Sequence, residues 1–186
     1  MLIRTPAGAE QGVTTPLGTV FLARTAQQGP CDVTIFYGDG PSIEPGRIAS
    51  IQDGLARVDL ELKAPWTELS MYYPTPEDDL VVGIATERDV EFFSTRAASG
   101  VNGTAVDLPS GFPTAPSSVG AGVFRREDQR YRLVGLVTGV ARFVDASGRR
   151  REVLTYLGPK ELLPLWIESR DRARAFDPPR RDDIQR

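Results

Sequence analysis

Short apolar runs, with glycine and proline as punctuation among them, follow one another along almost the whole chain. In order they are Thr19–Ala23, Asp32–Tyr37, Arg47–Ile51, Leu55–Leu62, Leu80–Thr86, Val90–Ser94, Gly103–Leu108, Ala121–Arg125, Tyr131–Val140 and Glu152–Leu157. Ten runs of this length, rich in Val, Ile, Phe and Leu, predict an all-β protein, a barrel or a sandwich. The run Leu55–Leu62 alternates: Val58, Leu60 and Leu62 are apolar, with Asp59 and Glu61 between them. A period of two puts the apolar set on one face of a strand.

The punctuation has turn chemistry. Asp53-Gly54 separates two runs, and Asp-Gly suits the positive φ values of a tight hairpin. The stretches from Tyr37 to Pro41 and from Asp145 to Gly148 predict turns of the same kind. Long proline-bearing loops are expected at Trp66–Asp79 and Pro109–Ser118, and no repeat of fixed period is visible. The pattern predicts one helix, opening at Gly158-Pro159, with proline suited to a first turn. Leu162, Leu165, Trp166 and Ile167 form its expected packing face, and Pro164 marks a kink or the true start of a longer helix. The segment 177–186 is proline-led and charged and reads as a loose tail. The expected organisation is a single domain over 1–176, with β sub-domains at about 13–65 and 80–157, a C-terminal helix over 158–176, and the tail. The first twelve residues are too short and polar for a signal-peptide core, and no apolar run approaches the ~20 residues of a membrane-spanning helix. A cytoplasmic or virion-internal location is expected.

Composition sharpens the functional reading. The chain carries a net charge of −3 and no histidine. The charge gives no electrostatic case for nucleic acid. The missing histidine removes the usual general base for serine and cysteine nucleophiles and the commonest ligand of catalytic zinc. Lys63 and Lys160 are the two lysines, so nearly all positive charge is arginine. A GC-rich coding genome accounts for that; a binding surface built on guanidinium is the sharper alternative. Cys31, the single cysteine, precedes an apolar run and reads as a buried thiol.

One region carries a family resemblance. Ser117-Ser-Val-Gly-Ala-Gly-Val-Phe124, followed by Leu133-Val-Gly-Leu-Val-Thr-Gly139, resembles the nucleophile loop and following hairpin of trypsin-like serine proteases, Gly-x-Ser-Gly-Gly-Pro-Val-Phe and then Leu-Val-Gly-Ile. Aligning Val123-Phe124 sets Gly120 on the glycine after the nucleophile, and Val119 on the nucleophile itself. Gly18-Thr-Val-Phe-Leu22 is similar to the family's early Gly-x-Gly-Phe-Leu strand. Val58-Asp-Leu-Glu-Leu62 is similar to the stretch bearing its catalytic aspartate, which implies Asp59 at that position. Tyr156–Ile167 is similar to its last strand and closing helix. The resemblance implies a reduced double β-barrel with a C-terminal helix. At residue level it is specific over Val119–Gly139. The interval Phe21–Pro30 lacks the family's histidine.

The chemistry follows from those departures. Ser118 is the fallback nucleophile, one place early, and would need Lys63 or Lys160 as its base. Asp59 is either a relic of a triad or the polar face of an alternating strand. Gly120, Ala121 and Gly122 are the expected binding residues, small enough to leave backbone groups open to a partner strand. Glu77, Asp78 and Asp79 read as a solvated turn, with a hard-cation site as the alternative; no metal and no cofactor are expected. Arg149, Arg150 and Arg151 read as a charged hairpin tip, with contact to phosphate or an acidic surface as the alternative. Trp66, Tyr72 and Tyr73 are expected between the two barrels, with an exposed aromatic patch as the alternative. The expected function is a catalytically inactive trypsin-like domain that binds a protein or peptide. The alternatives are an architectural subunit of a phage or another large assembly and, third, a serine–lysine hydrolase.

Overall fold

The alternation along the chain becomes strand after strand in the computed structural model, which describes residues 1–16, 18–37, 40–52, 54–60, 66–98, 104–113, 116–127, 130–145 and 147–164. The first six strands are β1 (Leu2–Thr5), β2 (Gly8–Thr15), β3 (Gly18–Leu22), β4 (Gly29–Tyr37), β5 (Gly40–Gln52) and β6 (Leu55–Leu60). They close into a barrel in the order β1-β2-β3-β6-β5-β4. All its pairings are antiparallel. Closure leaves no edge to template aggregation. Ile3, Phe21, Val33, Ile35, Ile48 and Val58 fill the interior.

The barrel starts earlier than the apolar runs suggest. β1 and β2 lie upstream of the boundary expected near residue 13. They escaped the pattern because β2 buries Glu10, Gln11, Thr14 and Thr15, polar residues that look solvent-facing in a sequence. The β5–β6 hairpin turns through Gly54, at φ 79°, which only a residue without Cβ adopts freely.

A crossing containing β7 (Glu68–Leu69) leads to the second group: β8 (Leu80–Ala85), β9 (Val90–Thr95), β10 (Ala105–Asp107), β11 (Gly122–Glu127), β12 (Arg130–Val144) and β13 (Arg150–Leu157). The sheet runs β10-β13-β12-β11-β8-β9, and β7 pairs parallel with β12. An Ala97–Val106 bridge joins the chain after β9 to β10, so the two ends of the sheet meet. Leu80, Val82, Val106, Val123, Val134, Val137 and Leu154 form its core.

A third apolar cluster holds the two units together. Val13 from the first barrel, Leu133 and Leu136 from the second, Leu69 from the crossing and Leu162 from the C-terminal helix pack there, with Leu22, Leu55 and Phe124 beside them. The crossing therefore sends Leu69 between the barrels. Trp66, Tyr72 and Tyr73 are 57%, 71% and 42% exposed, which corrects the expectation that they fill this interface. The C-terminal segment is helical at 159–164. Glu161 accepts the N–H of Gly158 at 3.0 Å, one half of a capping box, and Leu162 N–H closes the first helical turn on Gly158 C=O, with Pro159 in that turn. Leu165, Trp166, Ile167 and the segment 177–186 lie outside the described residues.

Candidate functional site

The segment that resembles a nucleophile loop forms a 3-10 turn, Pro116–Ser118, running into β11. Val119, at the nucleophile position, donates its N–H to Pro116 C=O at 3.3 Å. An N–H spent on closing a turn is not aimed at a developing oxyanion. Ser118 is 2% exposed, and Ser117 beside it is exposed. The fallback nucleophile is thus folded inward. Lys160 is exposed at the start of the C-terminal helix, and Lys63 lies outside the described residues.

Gly120, Ala121 and Gly122 are buried, against the expectation of an open backbone. Gly120 N–H bonds Val137 C=O at 2.7 Å, Ala121 N–H bonds Ser118 C=O, and Ala121 C=O accepts Val137 N–H. Gly122 pairs with Gly83 on one side and Leu136 on the other. These groups are consumed within the fold, so they cannot pair with an added strand. Their smallness serves packing instead. A Cβ on Gly120 would stand 2.7 Å from the backbone oxygen of Gln11, at a φ of 88°. A Cβ on Gly122 would strike Phe124 and Val13.

Asp59 sits on the exposed face of its strand. β6 turns Ala56 and Val58 inward and Arg57 and Asp59 outward. The Asp59 carboxylate makes a 3.1 Å ion pair with Arg57. It is a polar-face residue of an alternating strand.

The sequence reading missed two buried polar residues on β2. Glu10, 3% exposed, accepts the N–H groups of Arg24, Thr25 and Ala26 and the Thr25 hydroxyl, at 3.1–3.2 Å. That carboxylate fixes the loop after β3, the interval where the resemblance would require a histidine. Gln11 donates to Ala85 C=O and accepts Ala85 N–H, both at 2.8 Å. Its amide pairs with the end of β8 as a neighbouring strand would. The available signal was adjacency of Glu10 and Gln11 to Gly8 and Gly12 in an otherwise featureless stretch, which does not mark burial.

The acidic triplet serves the turn and its arginines. Asp78 accepts the N–H and hydroxyl of Thr75 and lies 3.9 Å from Arg125, and Asp79 lies 3.9 Å from Arg126. Among the described residues no group of three metal-ligating side chains converges. Cys31 is buried in the first barrel, and burial pushes its thiol above the ordinary value.

The accessible backbone lies elsewhere. β12 pairs with β11 only as far as Leu136, and with β13 from Leu136 to Val144. Asp145 N–H bonds Arg149 C=O, and the register sets Phe143 opposite Arg151. Antiparallel pairs alternate, so Phe143 and Ala141 bond toward β13, while Val140, Arg142 and Val144 present N–H and C=O on the opposite edge. No described strand pairs with that edge. It begins directly after Val137, where the Gly120–Ala121 loop ends its contact. The loop and the open edge are therefore consecutive on one line.

No protein-family model matches this sequence, and no curated protein matches it. Among solved structures, the protease domain of MamO from Magnetospirillum magneticum superposes with a TM-score of 0.50 over 88% of this chain and 94% of that one, at 12% identity. The chain has the trypsin-like double-barrel fold. At that identity the likeness concerns the fold alone. The closed first barrel, the second sheet and the short C-terminal helix are its parts, in the order the resemblance implied.

Proposed function

We propose that this trypsin-like domain is non-catalytic and binds an extended segment of a partner protein along the β12 edge from Val140 to Val144. The observation that carries the reading is the state of the turn before β11: valine stands at the nucleophile position with its N–H bonded to Pro116, and the neighbouring Ser118 is buried. A chain without histidine offers that serine no ordinary base. A serine–lysine pair would need Ser118 turned outward and the turn at Pro116 broken. What the scaffold retains is a strand edge beside the loop that no described strand pairs, and main-chain pairing supplies affinity in strand addition whatever the reactive groups.

The test is capture of partners from the native source by the immobilised domain. Arg142→Pro removes an outward N–H at an edge position, where a sheet tolerates proline. Arg142→Ala controls for the lost side chain. Capture should survive Arg142→Ala and Asp59→Ala and fail with folded Arg142→Pro. Unchanged capture by Arg142→Pro would overturn the strand-addition reading. Labelling by a fluorophosphonate probe that vanishes in Ser118→Ala would overturn the non-catalytic one.

A further inference from the structure

The three arginines that form one charged tip in the sequence are divided by the structure. Arg151 reaches from β13 to Asp107 on β10 and makes an ion pair. Arg142, opposite Glu152 in the β12–β13 register, is paired with that carboxylate. Arg149 and Arg150 make no ion pair with a described residue. The nearby Asp145 is engaged by its own turn: its Oδ1 accepts the N–H and hydroxyl of Ser147 and the N–H of Arg149. Among the described residues, two guanidinium groups are thus left without an ion-paired carboxylate beyond the end of the open edge.

The same end carries apolar surface. Val144 is 62% exposed and sits opposite Arg150 in the register. Leu108, Phe143 and Val144 line a groove together with Arg142, Arg150, Arg151 and Glu152. A strand laid along Val140, Arg142 and Val144 would run its far end past Val144 and toward Arg149 and Arg150.

We infer that the segment taken up along β12 is acidic and apolar in alternation, and that Arg149 and Arg150 select its carboxylates at the Val144 end. This rests on the strand-addition reading above. Charge complementarity decides the partner's sign: paired arginines contribute little, and the two unpaired ones meet a segment that brings its own carboxylates. The exposed valine and the outward N–H and C=O groups call for a peptide. A nucleic-acid backbone offers no alternating N–H and C=O groups to pair with Arg142 and Val144 as a strand does.

The probes are three acetylated, amidated six-residue peptides alternating valine with glutamate, serine or lysine, and a short single-stranded oligothymidine. Binding is followed by amide shifts in heteronuclear NMR spectra of the full chain and of the double variant Arg149→Ser, Arg150→Ser. The glutamate peptide should bind about five- to tenfold more tightly than the serine peptide, the size of one or two exposed charge pairs. The lysine peptide should bind weakest. In the double variant the glutamate and serine peptides should bind equally, still shifting the amides of Val140, Arg142 and Val144. Equal binding of the two by the unaltered chain, with those amides shifted, would overturn the charge selection and leave strand addition standing. A glutamate peptide that moves only Arg149 and Arg150, or that the oligothymidine displaces, would overturn both, as would three peptides that shift nothing.

Discussion

The side-chain amide of Gln11 and the backbone of Ala85 exchange two hydrogen bonds of 2.8 Å, joining the second strand of one barrel to a strand end of the other. Both partners are buried, so neither end of this pair has water as a substitute. Gln11→Leu leaves the N–H and C=O of Ala85 unpaired, at a cost of about 2–4 kcal/mol. Urea unfolding followed by tryptophan fluorescence should show the lower midpoint. A midpoint equal to that of the parent would mean the amide does not couple the barrels.

Glu10 is the anchor of the loop after β3, through three N–H groups and the Thr25 hydroxyl. Glu10→Ala should destabilise the chain by about 2–3 kcal/mol, because hydrogen bonds to a charged acceptor exceed neutral ones. Hydrogen exchange should accelerate at the amides of Thr25 and Ala26 well before it does in β8. Uniform acceleration across both barrels would assign Glu10 a global role instead.

Two glycines with similar φ angles should respond differently to alanine. Gly120, at 88°, has the Gln11 oxygen 2.7 Å from a prospective Cβ, and Gly148, at 80°, has nothing within 4 Å. Gly148→Ala meets only backbone strain, about 1–2 kcal/mol. Gly120→Ala adds a collision with backbone, which must move the barrels apart, and should cost at least about 3 kcal/mol. Equal melting temperatures for the two variants would contradict the close approach of Gly120 to β2.

In the chain beginning at Met1, the terminal amine is part-buried and donates to Gly12 C=O at 2.9 Å. Burial lowers its pKa from 8.0 to about 5. An amine with a depressed folded-state pKa folds best when neutral. Between pH 5 and 8 the unfolded chain binds the proton and the folded chain does not, so this group's contribution to stability rises with pH across that window. Denaturation midpoints at pH 5, 6.5 and 8 should show the rise. A chain acetylated at the terminus, once shown to be folded, should lack it.

Most of the architecture was legible in the sequence. The ten apolar runs correspond to β3–β6 and β8–β13, and Gly54 and Gly148 turn where their neighbours said they would. The Gly158-Pro159 start of the helix was legible too, because capping is a local matter of residue type and spacing. β1 and β2 were not, since the buried residues of β2 include a carboxylate and an amide. Polarity signals exposure only where no partner waits inside, and those partners, Arg24–Ala26 and Ala85, are distant or on another element.

The sequence by itself determined the all-β class, the turn positions, and a chain with no histidine and valine where the resemblance puts a nucleophile. Those properties depend on local periodicity, turn chemistry and residue identity. Only the tertiary structure decided which backbone was open. Gly120–Gly122 looked accessible because they are small, yet small residues also permit close packing, and here the barrels close over them. The open edge fell to Val140, Arg142 and Val144, because β11 ends its pairing at Leu136 while β12 continues along β13. Which arginines stayed unpaired was likewise a matter of register. Glu152 and Asp107 lie 10 and 44 residues from the arginines they neutralise, and no pattern in the chain brings them together.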